Sequence, residues 1–239
     1  MRSRSAEGDV TTGERMTEAP RFAVIFDMDG VLVDSEPLTI RAYVQAASEF
    51  GVQLDPQEFV RRVVIEGMLI QSLFELRGGD PADWDDVFRR KTEIYRAFVQ
   101  DELQMMPGAR ELLANLKART IPCALATSAS RVTMNLVFEA YNLAPYFRAT
   151  VTLEDVANQK PSPEAFLKAA ALLNVPPDRC VVIEDAPKGI AAAKAAGMVC
   201  VAVPTSLSCS DDLSPAHLIV ESLEEITVAR LAALPGDGR

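Results

Sequence analysis

Residues 22–30 read Phe-Ala-Val-Ile-Phe-Asp-Met-Asp-Gly. Five apolar residues run without alternation and stop at two carboxylates and a glycine. A short apolar run with no period of two predicts a strand covered on both faces, as in a parallel sheet. Ligands of such sheets bind beyond the carboxyl ends of the strands, so Asp27, Asp29 and Gly30 stand where chemistry is expected. Glycine at that point permits a tight backbone turn.

Runs of the same kind recur at 123–126, 149–153, 180–183 and 199–203. Helical spacing lies between them, over 108–119, 131–141, 163–173 and 188–196, with Gly197 placed to cap the last. Strands alternating with helices predict the α/β class: a Rossmann-like parallel sheet with helices on both faces. One stretch breaks the alternation. Residues 36–104 read as helix throughout, punctuated by Gly51, Gly67 and Gly78-Gly79-Asp80-Pro81. The expected organisation is a disordered tail over 1–20, a core of 21–35 and 105–239, and an inserted helical cap of 36–104.

The whole chain has 239 residues, 49% hydrophobic and 24% charged, which is the composition of a folded globular protein rather than a disordered one. No apolar run approaches the roughly 18–20 residues of a membrane span. The formal net charge of −10 argues against a nucleic-acid partner, which calls for a basic face. An anionic substrate would need a local cation or a metal. Cys123, Cys180, Cys200 and Cys209 form no C-x-x-C pair, so zinc and redox chemistry lack support, and buried inert thiols are expected. Residues 1–20 carry no apolar segment of secretory type, and a cytoplasmic location is expected.

Residues just past the other strands extend the pattern. They are Thr127 and Ser128, then Glu154, Asp155, Lys160 and Pro161, then Glu184 and Asp185. Several carboxylates at one sheet edge repel each other unless a cation lies among them. Hard oxygen ligands with open positions suit Mg²⁺, which keeps waters and takes phosphate oxygens. A lysine and a hydroxyl suit a phosphoryl group. A carboxylate can itself be the nucleophile, already ionised at neutral pH and in need only of screening from the phosphate. The constellation points to Mg²⁺-dependent phosphoryl transfer on a small phosphorylated metabolite.

Asp27-Met-Asp-Gly-Val-Leu-Val-Asp-Ser-Glu36 resembles the first signature of the haloacid dehalogenase superfamily. Thr127 resembles its second motif, Lys160-Pro-Ser-Pro163 its third, and Val182-Ile-Glu-Asp185 with Ala-Pro-Lys-Gly-Ile190 its fourth. The stretch after the first motif resembles the helical cap of the phosphoglycolate phosphatase and β-phosphoglucomutase branch. The resemblance implies Asp27 as nucleophile and metal ligand. It implies Asp29 as the acid and then base, with its backbone carbonyl on Mg²⁺. Thr127 and the Ser128 amide would hold the phosphoryl oxygens, together with Gly30 and Lys160. Lys160 would offset the charge on Asp27 and the phosphate. Asp185 would bind Mg²⁺ directly, and Glu184 directly or through water.

Asp29 also separates branches, because dehalogenases have no leaving-group oxygen to protonate and lack this carboxylate. The resemblance to phosphomutases is weaker in the cap. Their histidine five residues after the equivalent of Asp34 is here Thr39, and the basic residues flanking their cap glycine would be Glu66 and Ile70. A phosphatase is expected. A phosphomutase using the same aspartate and a non-catalytic phosphometabolite binder are the alternatives. The Glu66–Ile70 stretch is expected to set specificity, with Glu66 accepting hydrogen bonds from substrate. Several of the basic residues Arg61, Arg62, Arg77, Arg89, Arg90 and Lys91 are expected on a solvated helix face. Glu154 and Asp155 read as loop charges, Asp34 as part of the turn into the cap, His217 as a surface residue and Trp84 as packing. A monomer is expected, with a homodimer as the alternative.

Overall fold

The computed structural model of the chain describes residues 22–205, 208 and 212–234. The expected tail and Cys209 lie outside the described residues. Strand β1 (Ala23–Phe26) is followed by a tight turn and then by helices alone: α1 (Glu36–Glu49), α2 (Pro56–Phe59), α3 (Ile70–Leu76) and α4 (Trp84–Asp101). Asp55 starts α2 by accepting the Glu58 amide at 2.8 Å. Helix α2 runs directly into a π-helical turn, Val60–Ile65. Tyr43 of α1 stacks on Trp84 of α4, with centroids 6.1 Å apart and planes 4° from parallel, so Trp84 helps to pack these two helices together.

The chain leaves and rejoins the sheet region side by side. The Asp34 amide donates to the Gln104 carbonyl at 3.0 Å and the Met106 amide to the Leu32 carbonyl at 2.9 Å. Beyond that junction come α5 (Ala109–Ala118), β2 (Cys123–Ala126), α6 (Arg131–Tyr141), β3 (Ala149–Val151), α7 (Glu164–Leu173), β4 (Cys180–Glu184), α8 (Pro187–Ala195), β5 (Val199–Ala202), β6 (Leu218–Ile219) and α9 (Val228–Ala233). The six strands form one parallel sheet in the order β3-β2-β1-β4-β5-β6. β1 lies between β2 and β4, with Ile25 beside both Ala124 and Val182.

Alternate strand residues feed two apolar layers. Val24, Phe26, Val181 and Ile183 belong to one buried cluster with residues of α5 and α6, and that cluster continues into the helices of the insert. Ala23, Ile25, Val182 and Cys200 pack with α7 and α8 in the other. This is why the strand sequences carry no alternation: both faces are dry. Two departures from the sequence pattern have local causes. The run 149–153 ends as strand at Val151, because Asp155 turns back and accepts from the Thr152 amide and hydroxyl at 2.8 and 2.9 Å. The added strand β6 is two residues long and pairs only with β5, too short to leave a pattern.

Cys123, Cys180 and Cys200 are buried and free, and burial pushes the thiols of Cys123 and Cys180 up to about 12. They are inert packing groups. His217 is exposed and its Nδ1 accepts from the Cys200 amide at 3.0 Å. Among the described residues no helix is long and apolar enough to cross a membrane.

Candidate active site

Asp27 is the first residue past β1, and its amide still bonds the sheet, donating to the Ile183 carbonyl at 3.0 Å. The chain must then turn at once. Gly30 makes the turn with φ of +76°, a conformation that L side chains rarely adopt. A Cβ on Gly30 would fall 2.3 Å from Asp185 Oδ2. Gly189 in α8 does the same for the neighbouring carboxylate, since a Cβ there would fall 1.8 Å from Glu184 Oε1. Two missing side chains thus make the room that Glu184, the last residue of β4, and Asp185 just after it use. Gly30→Ala combines left-handed strain with displacement of Asp185. It is expected to lower stability by about 1–3 kcal/mol, read by thermal unfolding. An unchanged unfolding temperature would rule out this account of the turn.

Lys160 ties three strands together. Its Nζ donates to Asp27 Oδ1 at 2.6 Å, to Glu184 Oε1 at 2.6 Å and to the Ala126 carbonyl at 3.0 Å, which uses all three protons. It also lies over the Phe166 ring, 4.8 Å from the centroid. The side chain is 3% exposed, and the Lys160-Pro161 peptide is cis. Burial would lower the proton affinity of this ammonium, but Asp27 and Glu184 outweigh it and raise it. Glu184 is equally committed. Its Oε2 accepts from the amides of Asp185 and Ala186 at 3.0 and 3.2 Å.

Asp27 and Asp185 hold less counter-charge than they need. Burial, offset in part by Lys160, pushes the Asp27 carboxyl up to about 7. Burial, then Glu184 and Asp27, push Asp185 well above the usual carboxylate range. Among the described residues no three His, Cys, Asp or Glu side chains are grouped so as to hold a metal ion between them. The donor set is instead open and oxygen-only, with one cation held among several buried carboxylates. That chemistry fits a hard divalent ion which completes its shell with water and phosphate oxygens. Asp27, Asp185 and the Asp29 backbone carbonyl are the groups that could hold it.

Asp29 sits two residues on. Ser35 Oγ donates to its Oδ1 in a close contact, and Thr127 Oγ1 lies 3.5 Å from its Oδ2, at the limit of a hydrogen bond. Burial raises the Asp29 carboxyl and the Ser35 bond opposes this. Thr127 accepts the Ala129 amide on its hydroxyl at 3.0 Å. Past it, α6 opens with Ser130 accepting the Thr133 amide at 3.3 Å. Glu154 caps that helix from outside, accepting the Arg131 amide on both oxygens at 3.0 and 2.9 Å, and Asp155 pairs with the Arg131 guanidinium at 2.6 Å. The two acids therefore shape loops, as their sequence position suggested.

A cavity of about 540 Å³ opens between these loops and the helical insert. Asp27, Asp29, Ser128, Lys160, Glu184 and Asp185 all line it. Gly30 and Thr127 are buried just behind its wall. Glu66, also a sequence-predicted site residue, differs from these two in being exposed. It stands at the end of the π-helical turn and outside the lining, whereas Gly67 to Gln71 line the cavity. The widened turn carries Glu66 past the opening, so the structure does not bring it to a substrate.

Arg61, Arg77 and Arg89 of the insert are exposed as expected, but Lys91 is not. It is 4% exposed, lines the cavity, and its Nζ stands 4.9 Å from the Tyr43 ring centroid and 4.6 Å from that of Tyr95. Burial lowers this ammonium to about 8, and Asp29 opposes the shift. A signal was present in the sequence. Val87, Lys91 and Tyr95 are spaced by four on α4, so the lysine occupies the apolar stripe of its helix.

Residues 23–197 match the family model described as haloacid dehalogenase-like hydrolase. The chain is 34% identical over 206 residues to hexitol phosphatase A of Escherichia coli (strain K12), covering 86% of this chain and 93% of that one. It is 40% identical over 195 residues, 78% of this chain, to SUPPRESSOR OF QUENCHING 1, a chloroplastic protein of Arabidopsis thaliana, but spans 18% of that protein's length. The crystal structure of CbbY from Rhodobacter sphaeroides in complex with phosphate superposes with a TM-score of 0.79 at 30% identity, covering 87% of this chain and 98% of that one. With a family model spanning β1 to α8, and with the carboxylates and the lysine gathered at one sheet edge, the chain belongs to the haloacid dehalogenase-like hydrolases.

Proposed function

We propose that this protein is an Mg²⁺-dependent phosphatase that hydrolyses a small phosphate monoester, a sugar phosphate or an ester of like size, through an aspartyl-phosphate on Asp27. The observation that carries the reading is Lys160, held between Asp27 and Glu184 at the floor of a cavity that Asp29 also lines. Lys160 engages Asp27 Oδ1, which leaves Oδ2 as the attacking oxygen. In the first step Oδ2 forms a bond to phosphorus, the ester P–O bond breaks, and Asp29 gives its proton to the departing alkoxide. In the second step a water attacks the same phosphorus and returns a proton to Asp29. The phosphorus–Asp27 bond then breaks and inorganic phosphate leaves.

Burial favours the protonated form of Asp29 that the first step requires. The Ser128 amide meets the phosphoryl oxygens and Lys160 offsets their charge, while Gly30 and Thr127, buried and outside the lining, shape the loops around them. Glu184 keeps Lys160 in place and stands outside the ligand set unless reached through water. A bound Mg²⁺ supplies charge neutralisation at the phosphoryl oxygens. The helical insert, residues 36–104, acts as the cap that covers the organic part and keeps out bulk water.

Hydrolysis is favoured over mutase chemistry by the cavity's charge. Besides Lys160, the cations among its described lining residues are Lys91 and Lys188. The Lys91 ammonium lies over two tyrosine rings, and no arginine or histidine is among the described lining residues. The test is phosphate release from a panel of phosphate monoesters with Mg²⁺ and with EDTA. Release with Mg²⁺ that falls at least about 100-fold in EDTA is the expected outcome, since metal charge stabilisation is worth several kcal/mol. Release that is indifferent to EDTA, or absent for every ester, overturns the reading.

A further inference from the structure

We infer that the helical insert selects a phosphate monoester whose alcohol part is apolar and poor in hydroxyls. The inference rests on the phosphatase reading and narrows its substrate class. The insert contributes Val63, Val64, Met68, Leu69, Trp84 and Phe88 to the cavity lining. The π-helical turn Val60–Ile65 explains part of this. Its wider winding puts two consecutive valines, 63 and 64, on the same wall. Leu69 is 67% exposed although it lines the cavity, so a ligand's apolar surface has an open partner there.

The polar side chains on the same wall are few. Gln71 donates to Glu75 Oε1 at 2.9 Å, and the Lys91 ammonium faces the rings of Tyr43 and Tyr95. Glu36 and Thr39 stand at the first turn of α1. A polyol placed against this wall would lose water from its hydroxyls without gaining a protein partner for each. A hydrocarbon ring of the same size would lose nothing of the kind and would gain contacts.

The matched pair that tests this is cyclohexylmethyl phosphate against glucose 6-phosphate, which share ring size and a primary leaving oxygen. Wild-type kcat/KM is expected to favour cyclohexylmethyl phosphate by at least about tenfold, the discrimination an apolar pocket typically gives. The same preference is expected in Kd measured calorimetrically on Asp27→Asn, which removes turnover from the comparison. In V64N the preference should narrow at least about threefold. Equal or tighter binding of glucose 6-phosphate, binding of neither ester, or an unchanged preference in V64N overturns the inference. A Kd preference in Asp27→Asn with no turnover by the wild type would instead sink the phosphatase reading and leave the apolar wall standing.

Discussion

Asp27→Asn is expected to abolish phosphate release while leaving the fold intact. The amide has nearly the shape of the carboxylate and can still accept from Lys160 through its oxygen, so the three-strand tie is kept. It cannot attack phosphorus as an anion. Removing an enzyme's nucleophile typically costs about 10⁶-fold in kcat, and a loss of at least about 10⁴-fold is expected here. Stability should hold or rise, because one buried carboxylate is taken from a cluster in which Glu184 and Asp29 already oppose its charge. The measurements are single-turnover phosphate release and urea unfolding on the same preparations. Retention of more than about one hundredth of wild-type turnover would show that another group attacks.

Lys160→Met should damage both stability and activity. Removing one partner of a buried ion pair leaves the other charges uncompensated, at about 3–5 kcal/mol. Here two carboxylates lose that partner at once, since Asp27 and Glu184 each lie 2.6 Å from Nζ. Activity should fall at least about 10³-fold, because the nucleophile is misplaced and its repulsion of the phosphate goes unscreened. A structural role and a catalytic one separate in the double variant Lys160→Met/Glu184→Gln. Neutralising Glu184 should restore at least half of the lost stability in urea unfolding and restore none of the activity. If activity returns together with stability, Lys160 serves the fold alone.

The sheet was legible because it is dry on both sides. Continuous apolar runs ending in Asp27, Thr127 and Glu184-Asp185 set three strand ends within a residue of their observed positions. The all-helical character of 36–104 was readable from the absence of such runs. What escaped is what depends on packing across distance. β6 has only two residues to show. The π-helical turn at Val60–Ile65 has no spacing of its own in the sequence, and by shifting register it turned Glu66 outward and Val63 and Val64 inward. Lys91 looked like one more surface base until its helix was docked on α1, where its stem fills an apolar stripe and its ammonium reaches the cavity. The motifs gave the chemical groups, but not their division of labour. Glu184, expected to meet the metal directly or through water, also accepts from Lys160 and two backbone amides, contacts that no spacing in the sequence announces.

The side-by-side junction at Asp34–Gln104 and Leu32–Met106 has an evolutionary consequence. A segment that departs and returns through hydrogen-bonded neighbours can be lengthened, trimmed or exchanged without shifting the register of any strand. The residues assigned here to bond making and breaking lie outside that segment, whereas the apolar wall of the cavity lies inside it. Mutation can therefore explore new substrates in one contiguous stretch of gene while the reaction itself is inherited unchanged.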